Sequence, residues 1–277
     1  MSPAAVVGDE APGRGAIERS AWRKVALPSE HGGWGLTLEP PMLALLVAPS
    51  RAGVAIAFAA LLAFLARTPV KLVLVDLGRR RRLPRTRKAA LVGGVELTLI
   101  GGLVLAAFVV AGGGWLVPVG AALPLFAVEL WYDARSRGRR LVPELAGAVG
   151  IGATAAAITI AGDGAWRLGV ALWAILAARA FVSIPYVRAQ VLRLRRGVPM
   201  SSATVVLQLV GVVVAVAAAA VVDRSVAAGA VGVAAIAVAQ APTVRRPVPP
   251  PKILGLRQLA FGLALVGVTA AGVHLAG

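Results

Sequence analysis

This chain of 277 residues is 58% hydrophobic and only 15% charged, with a mean hydropathy of +0.83, which leaves too little polar surface for a soluble globule. Its 29 basic residues far outnumber its 12 acidic ones, and the absence of cysteine excludes disulfides, thiol nucleophiles and Cys-ligated zinc or iron–sulfur centres. Basic residues beside apolar runs report topology and anionic lipid, so membrane lipids are the expected partners and no nucleic acid is expected.

Residues 1–26 are polar and small, with no sustained apolar core, and read as a mobile cytoplasmic arm rather than a cleavable signal. Residues 27–277 form a single transmembrane helical domain. Its class is all-α, a polytopic bundle of nine segments long enough to cross hydrocarbon. They run over 34–50, 52–70, 89–111, 115–132, 142–161, 166–185, 202–222, 225–241 and 256–276. Merging 202–241 would leave eight.

Alternate breaks between these segments differ sharply in charge. Arg14 to Lys24, Arg67 to Lys88, Arg135 to Arg140, Arg188 to Arg196 and Arg245 to Arg257 hold all but four of the basic residues. The opposite breaks hold Arg51, Arg167 and Arg224, and Arg179 lies within a span. This asymmetry predicts a cytoplasmic N-terminus and an outside C-terminus.

The first candidate chemistry lies at the mouth of the first apolar run, Pro28-Ser29-Glu30-His31-Gly32-Gly33-Trp34-Gly35. Glu30 suits the first turn of a helix, and His31 could exchange protons near neutral pH or bond a phosphate. Trp34 reads equally as an interfacial anchor. Glu39, followed by Pro40 and Pro41, lies inside the run, where a carboxylate needs a polar interior or an arginine from another span.

Next along the chain, Arg67 and Lys71 share a helical face, as do Asp76 and Arg80. A cationic helix end at the membrane edge suits a lipid phosphate or diphosphate. Glu129 and Asp133 share a face with Tyr132 between them. They could hold Mg²⁺ together with a phosphate, or simply answer nearby arginines such as those from Arg135 to Arg140. Glu144 is grouped with the same basic loop. Arg179, deep in the sixth segment, needs Glu39, Glu96 or an anionic ligand as partner, and Tyr186 and Arg188 continue that helix toward Arg193 to Arg196. His274 reads as an interfacial residue. No Walker loop, dinucleotide fingerprint or Ser/His/Asp arrangement is present.

The Pro28 to Trp34 run leading into Glu39-Pro40 resembles the YwiC-like family of bacterial membrane proteins. The similarity extends through Arg67-Thr68-Pro69, Asp76 and the Arg188 to Arg196 stretch. It implies a multi-pass protein of the bacterial inner membrane. A more distant similarity is to UbiA-type intramembrane prenyltransferases, carried by Asp76 with the arginines after it and by the Asp133 to Gly147 loop. That resemblance implies about nine helices, a cytoplasmic-side polar cavity and an isoprenoid diphosphate held through Mg²⁺. The chain departs from it where Asp76 lacks a second carboxylate, and where Tyr186, Arg188 and Arg193 replace the second acidic motif.

The expectation is a cytoplasmic-side pocket lined by Glu30, His31, Glu39, Arg67, Lys71, Asp76, Arg179 and Arg188, with Arg80, Glu129, Asp133 and Tyr186 as further ligand contacts. Its ligand would be an anionic phosphorylated lipid or isoprenoid, and turnover would be that of a divergent prenyl or lipid transferase. Glu30, His31, Glu39 and Asp76 would supply acid–base chemistry. Embedded Glu and Arg equally suit a transporter of a small anion or metabolite, although no inverted repeat is visible. A non-catalytic partner of a membrane complex is the third possibility.

Overall fold

The computed structural model describes residues 33–81, 83–135, 140–244 and 246–277. The N-terminal arm, Glu30 and His31 lie outside the described residues. Those described form nine α-helices and no strand: α1 (Gly33–Val47), α2 (Arg51–Gly78), α3 (Pro84–Ala111), α4 (Leu116–Ala134), α5 (Leu141–Ala161), α6 (Trp166–Arg196), α7 (Ser202–Ala217), α8 (Ala227–Gln240) and α9 (Pro251–Ala276). With their terminal turns, eight are long and apolar enough to cross a membrane. The ninth, α1, has 15 residues, about 22 Å of helix, and falls short of a full hydrocarbon core.

Helix order follows the apolar runs, but several boundaries do not. α2 continues past residue 70 to Gly78, α3 starts at Pro84, and α6 continues to Arg196. Charge alone does not end a helix, because Lys and Arg stems lie along the apolar surface while their heads reach water. Pro69 and Pro185 both sit inside helices. The 202–241 stretch is not one span. A π-helical turn over Ala218–Val222 leads into Asp223, whose extended backbone ends the first half. Asp223 Oδ1 then accepts from Ser225 N at 3.0 Å and starts the second half. At the start of α2, Ser50 Oγ caps Gly53 N at 2.9 Å.

α6 is the most buried long helix and packs against α1, α5, α7 and α8. α5 contributes Ala153, Ala155, Ala156 and Ala157, all essentially inaccessible, and Gly169 of α6 lies against Ala156, so small residues allow close helix approach. α2 and α3 form a long hairpin at one side of the bundle. Most of α3 faces outward through Leu91, Leu97, Leu105 and Val109, as does α7 through Val206, Leu209 and Val213. In hydrocarbon those faces have no water to avoid, so the absence of protein cover costs nothing hydrophobic.

Polar contacts mark the two ends of the bundle. At one end, Arg167 Nε donates to Val222 O at 2.8 Å, and His274 Nε2 donates to Leu46 O at 2.9 Å. The other end gathers the basic segments. Arg193 there reaches Arg246 O at 3.1 Å.

Candidate functional site

The sequence places eight residues in one pocket. The structure distributes the described ones among four polar groups, three of them at the basic end.

The first group joins α2 to α4. These helices run parallel, so the i, i+4 pair Arg67 and Lys71 meets the i, i+4 pair Glu129 and Asp133 in register. Arg67 Nη1 lies 2.7 Å from Glu129 Oε1, and Arg67 Nε donates to Asp133 Oδ2 at 2.9 Å. Lys71 Nζ donates to the other Asp133 oxygen at 2.9 Å. Asp133 is 1% exposed, whereas Arg67 and Lys71 are 31% and 38% exposed, so the cations face outward over a buried anion. Gly147 of α5 makes room for this clasp, because a Cβ there would overlap the Glu129 carboxylate. Arg135, expected to answer the carboxylates, instead lies over the Trp131 ring at 3.3 Å from its centre.

As a resident Mg²⁺ site, Glu129 and Asp133 fit poorly in this arrangement. Their charges are already matched by two fixed cations, and a divalent ion would have to displace them. Among the described residues no group of three His, Asp or Glu side chains converges as a metal site.

The second group closes the α2–α3 hairpin. Asp76 accepts from Arg85 Nη2 at 2.8 Å and Nε at 3.2 Å, and from Thr86 Oγ1 at 2.6 Å. Thr86 Oγ1 in turn accepts from Leu83 N at 3.2 Å, satisfying a donor at the start of α3. Asp76 and Arg80 do not share a helical face as expected. α2 ends at Gly78, and Arg80 lies in the turn with φ +52°. Proximity across the hairpin therefore overrode spacing along the helix.

The third group lies along the C-terminal half of α6. Arg188 Nη1 donates to Glu144 Oε1 of α5 at 2.9 Å and so ties the start of α5 to α6. Tyr186 Oη and Thr243 Oγ1 are 2.6 Å apart, and Gln190 Nε2 also reaches Thr243 Oγ1 at 3.4 Å. Gln190, Gln208, Gln240 and Thr243 were not singled out from the sequence. Amides scattered across three helices leave no motif, although an amide in a hydrophobic run is itself a signal.

The fourth group is the deepest. Arg179 of α6 is 2% exposed and Glu39 of α1 is 3% exposed. Arg179 Nη2 stands 3.7 Å from Glu39 Oε1, an ion pair too long for a direct hydrogen bond. Arg179 instead bonds Gln258 of α9, with Nη2 donating to its backbone oxygen at 2.7 Å and Nη1 to Oε1 at 3.3 Å. Gly262, one turn further on α9, is the cradle for Glu39, since a Cβ there would run into the carboxylate. The candidates for pairing Arg179 thus reduce to Glu39; Glu96 Oε2 on α3 is buried without a partner among the described residues. Removing one member of such a pair costs about 3–5 kcal/mol, because the other charge stays buried.

A shallow concavity of about 370 Å³ lies on α3 around Ala90, Gly94 and Thr98, on the outward apolar face. It belongs to none of the four groups.

No curated protein and no solved structure matches the chain. Residues 27–159, from the mouth of α1 through most of α5, match the family described as YwiC-like protein, and this span includes Glu39, the Arg67–Asp133 clasp and Asp76.

Proposed function

We propose that this YwiC-like, multi-helical protein binds the phosphate of an anionic lipid or isoprenoid at the basic end of its bundle. The observation that carries the reading is the clasp of Arg67 and Lys71 over buried Asp133. Two cations held in fixed register, yet about a third exposed, are poised to donate to phosphate oxygens at the depth where a lipid head lies. Asp133 and Glu129 are both largely covered, so an arriving phosphate first replaces solvent on the exposed faces of the two cations. Were the resemblance of the Asp76 segment to UbiA-type prenyltransferases to extend to the ligand, that ligand would be an isoprenoid phosphate.

Native mass spectrometry of protein extracted in mild detergent tests this reading. A phosphorylated lipid should co-purify with the wild-type protein and be lost from a folded Arg67→Ala/Lys71→Ala variant. Equal retention by the variant would remove the clasp from the binding site.

A second reading, transport of a small anion or metabolite, is favoured by the Glu39–Arg179 pair, because charges within a bundle commonly line solute paths. Flux into proteoliposomes separates the two readings, since a lipid-binding protein would show none.

A further inference from the structure

Five positions of α6 stand apart from its apolar surroundings: Arg179, Ser183, Tyr186, Gln190 and Arg193. Their spacing of four, three, four and three residues puts them on one face, a stripe about 21 Å long. The first four are at most 4% exposed, and Arg193 is half-buried at the basic end. A polar stripe of that length inside an alanine- and valine-rich bundle needs an explanation.

Direct contacts supply only part of one, since Arg179, Tyr186, Gln190 and Arg193 have protein partners but other polar atoms do not. Five buried side-chain atoms have no hydrogen-bond partner among the described residues, and three of them belong to this region: Arg179 Nε, Ser183 Oγ and Gln240 Nε2. Gln240 stands across from the stripe. Its Oε1 accepts from Gln208 Nε2 at 2.8 Å, and the same Gln208 nitrogen reaches Val182 O at 3.3 Å. Each orphaned group has a donor to give, and native interiors rarely leave such groups dry. The occupant must be neutral, because Glu39 already balances Arg179. It must also be small, and able to accept and donate. Water meets all of these requirements.

The polar lining is continuous toward one end only. Toward the basic end, Tyr186 and Gln190 share Thr243 Oγ1, and Arg193 Nη1 donates to Thr243 O at 3.4 Å, so the polar lining continues to the exposed arginines. In the other direction, the residues one turn beyond the ion pair are Ile175 and Leu43, both 0% exposed, within a core that includes Ile158 and Leu172. Apolar packing closes that side.

We propose that the α6 stripe is a one-sided internal water path, leading from the basic end to the Glu39–Arg179 pair and stopping there. It makes a carboxylate in the middle of the bundle reachable by water-borne species from one side only. The path is distinct from the α2–α4 clasp and does not depend on a lipid phosphate binding there.

Because the chain contains no cysteine, a single introduced thiol reports on its own position. Ser183→Cys and Gln240→Cys lie on the path, while Ile175→Cys lies on the same α6 face beyond the ion pair. Each purified full-length variant, checked for a single folded species by gel filtration, is exposed briefly to Ag⁺ in chloride-free buffer. Free thiol is then counted after unfolding. Silver binds the thiolate, which forms where water reaches it, so Ser183→Cys or Gln240→Cys should be blocked about tenfold faster than Ile175→Cys. If either path variant misfolds, the other decides. Blocking of folded path variants no faster than that of Ile175→Cys overturns the proposal. Fast blocking of Ile175→Cys itself would overturn its one-sidedness.

Discussion

Arg179 of α6 and Glu39 of α1 face each other across 3.7 Å in the interior of the bundle, and neither side chain is more than 4% exposed. The two residues are 140 positions apart. Glu39→Leu or Arg179→Leu alone should destabilise the protein by about 3–5 kcal/mol, because each leaves an uncompensated charge. The double variant Glu39→Leu/Arg179→Leu should lose much less than the sum. The six tryptophans allow this to be followed by intrinsic fluorescence during thermal unfolding in detergent. Strictly additive losses would show that the two charges are not coupled.

Gly262 lies where any Cβ would meet the Glu39 carboxylate. Gly262→Ala should therefore cost about 1–3 kcal/mol through overpacking, well beyond its effect on helix propensity, which by itself is favourable. In a Glu39→Ala background the same substitution should cost little or become stabilising. The comparison is a double-mutant cycle on melting temperature.

At the α2–α4 clasp, Arg67 and Glu129 are partly exposed, so their coupling should be on the order of 1 kcal/mol and should shrink with added salt. Asp133→Leu should be more harmful than Glu129→Leu. Asp133 is buried and receives both Arg67 and Lys71, whereas Glu129 is 14% exposed. Equal melting temperatures for the two variants would contradict this ranking.

The basic end should face the cytoplasm. Arg79 to Arg82, Arg85, Arg87 and Lys88 fall within ten consecutive positions of the sequence, and such residues resist translocation. Alkaline phosphatase fused after Gly277 should then be active in a bacterial host, whereas the same reporter placed in the α2–α3 turn should be inactive. The reverse pattern would invert the bundle.

The number and order of the helices were legible because each apolar run is long and each break carries glycine, proline or charge. Helix ends at the basic side were not legible. Arg67, Lys71 and Asp76 read as the cationic end of a helix and are helical, but the apolar run stops at residue 70 while α2 continues to Gly78, since hydropathy marks the edge of the hydrocarbon and a helix can continue past it. The Asp76–Arg80 expectation failed for a related reason: local spacing competes with a neighbour brought back by the hairpin, and Arg85 with Thr86 occupies both Asp76 oxygens.

What the sequence by itself determined is the solvent for this chain and the direction of its charge asymmetry. Composition and the placement of lysine and arginine depend only on the order of residues. It also marked Glu39 and Arg179 as costly in hydrocarbon, and so as needing partners. Only the tertiary structure decided which partners: Arg179 with Glu39 and Gln258, Asp133 with Arg67 and Lys71, and Glu144 with Arg188. Those choices depend on which helices become neighbours and in what register. Packing of small residues against α6 sets both, and no spacing along the chain records them.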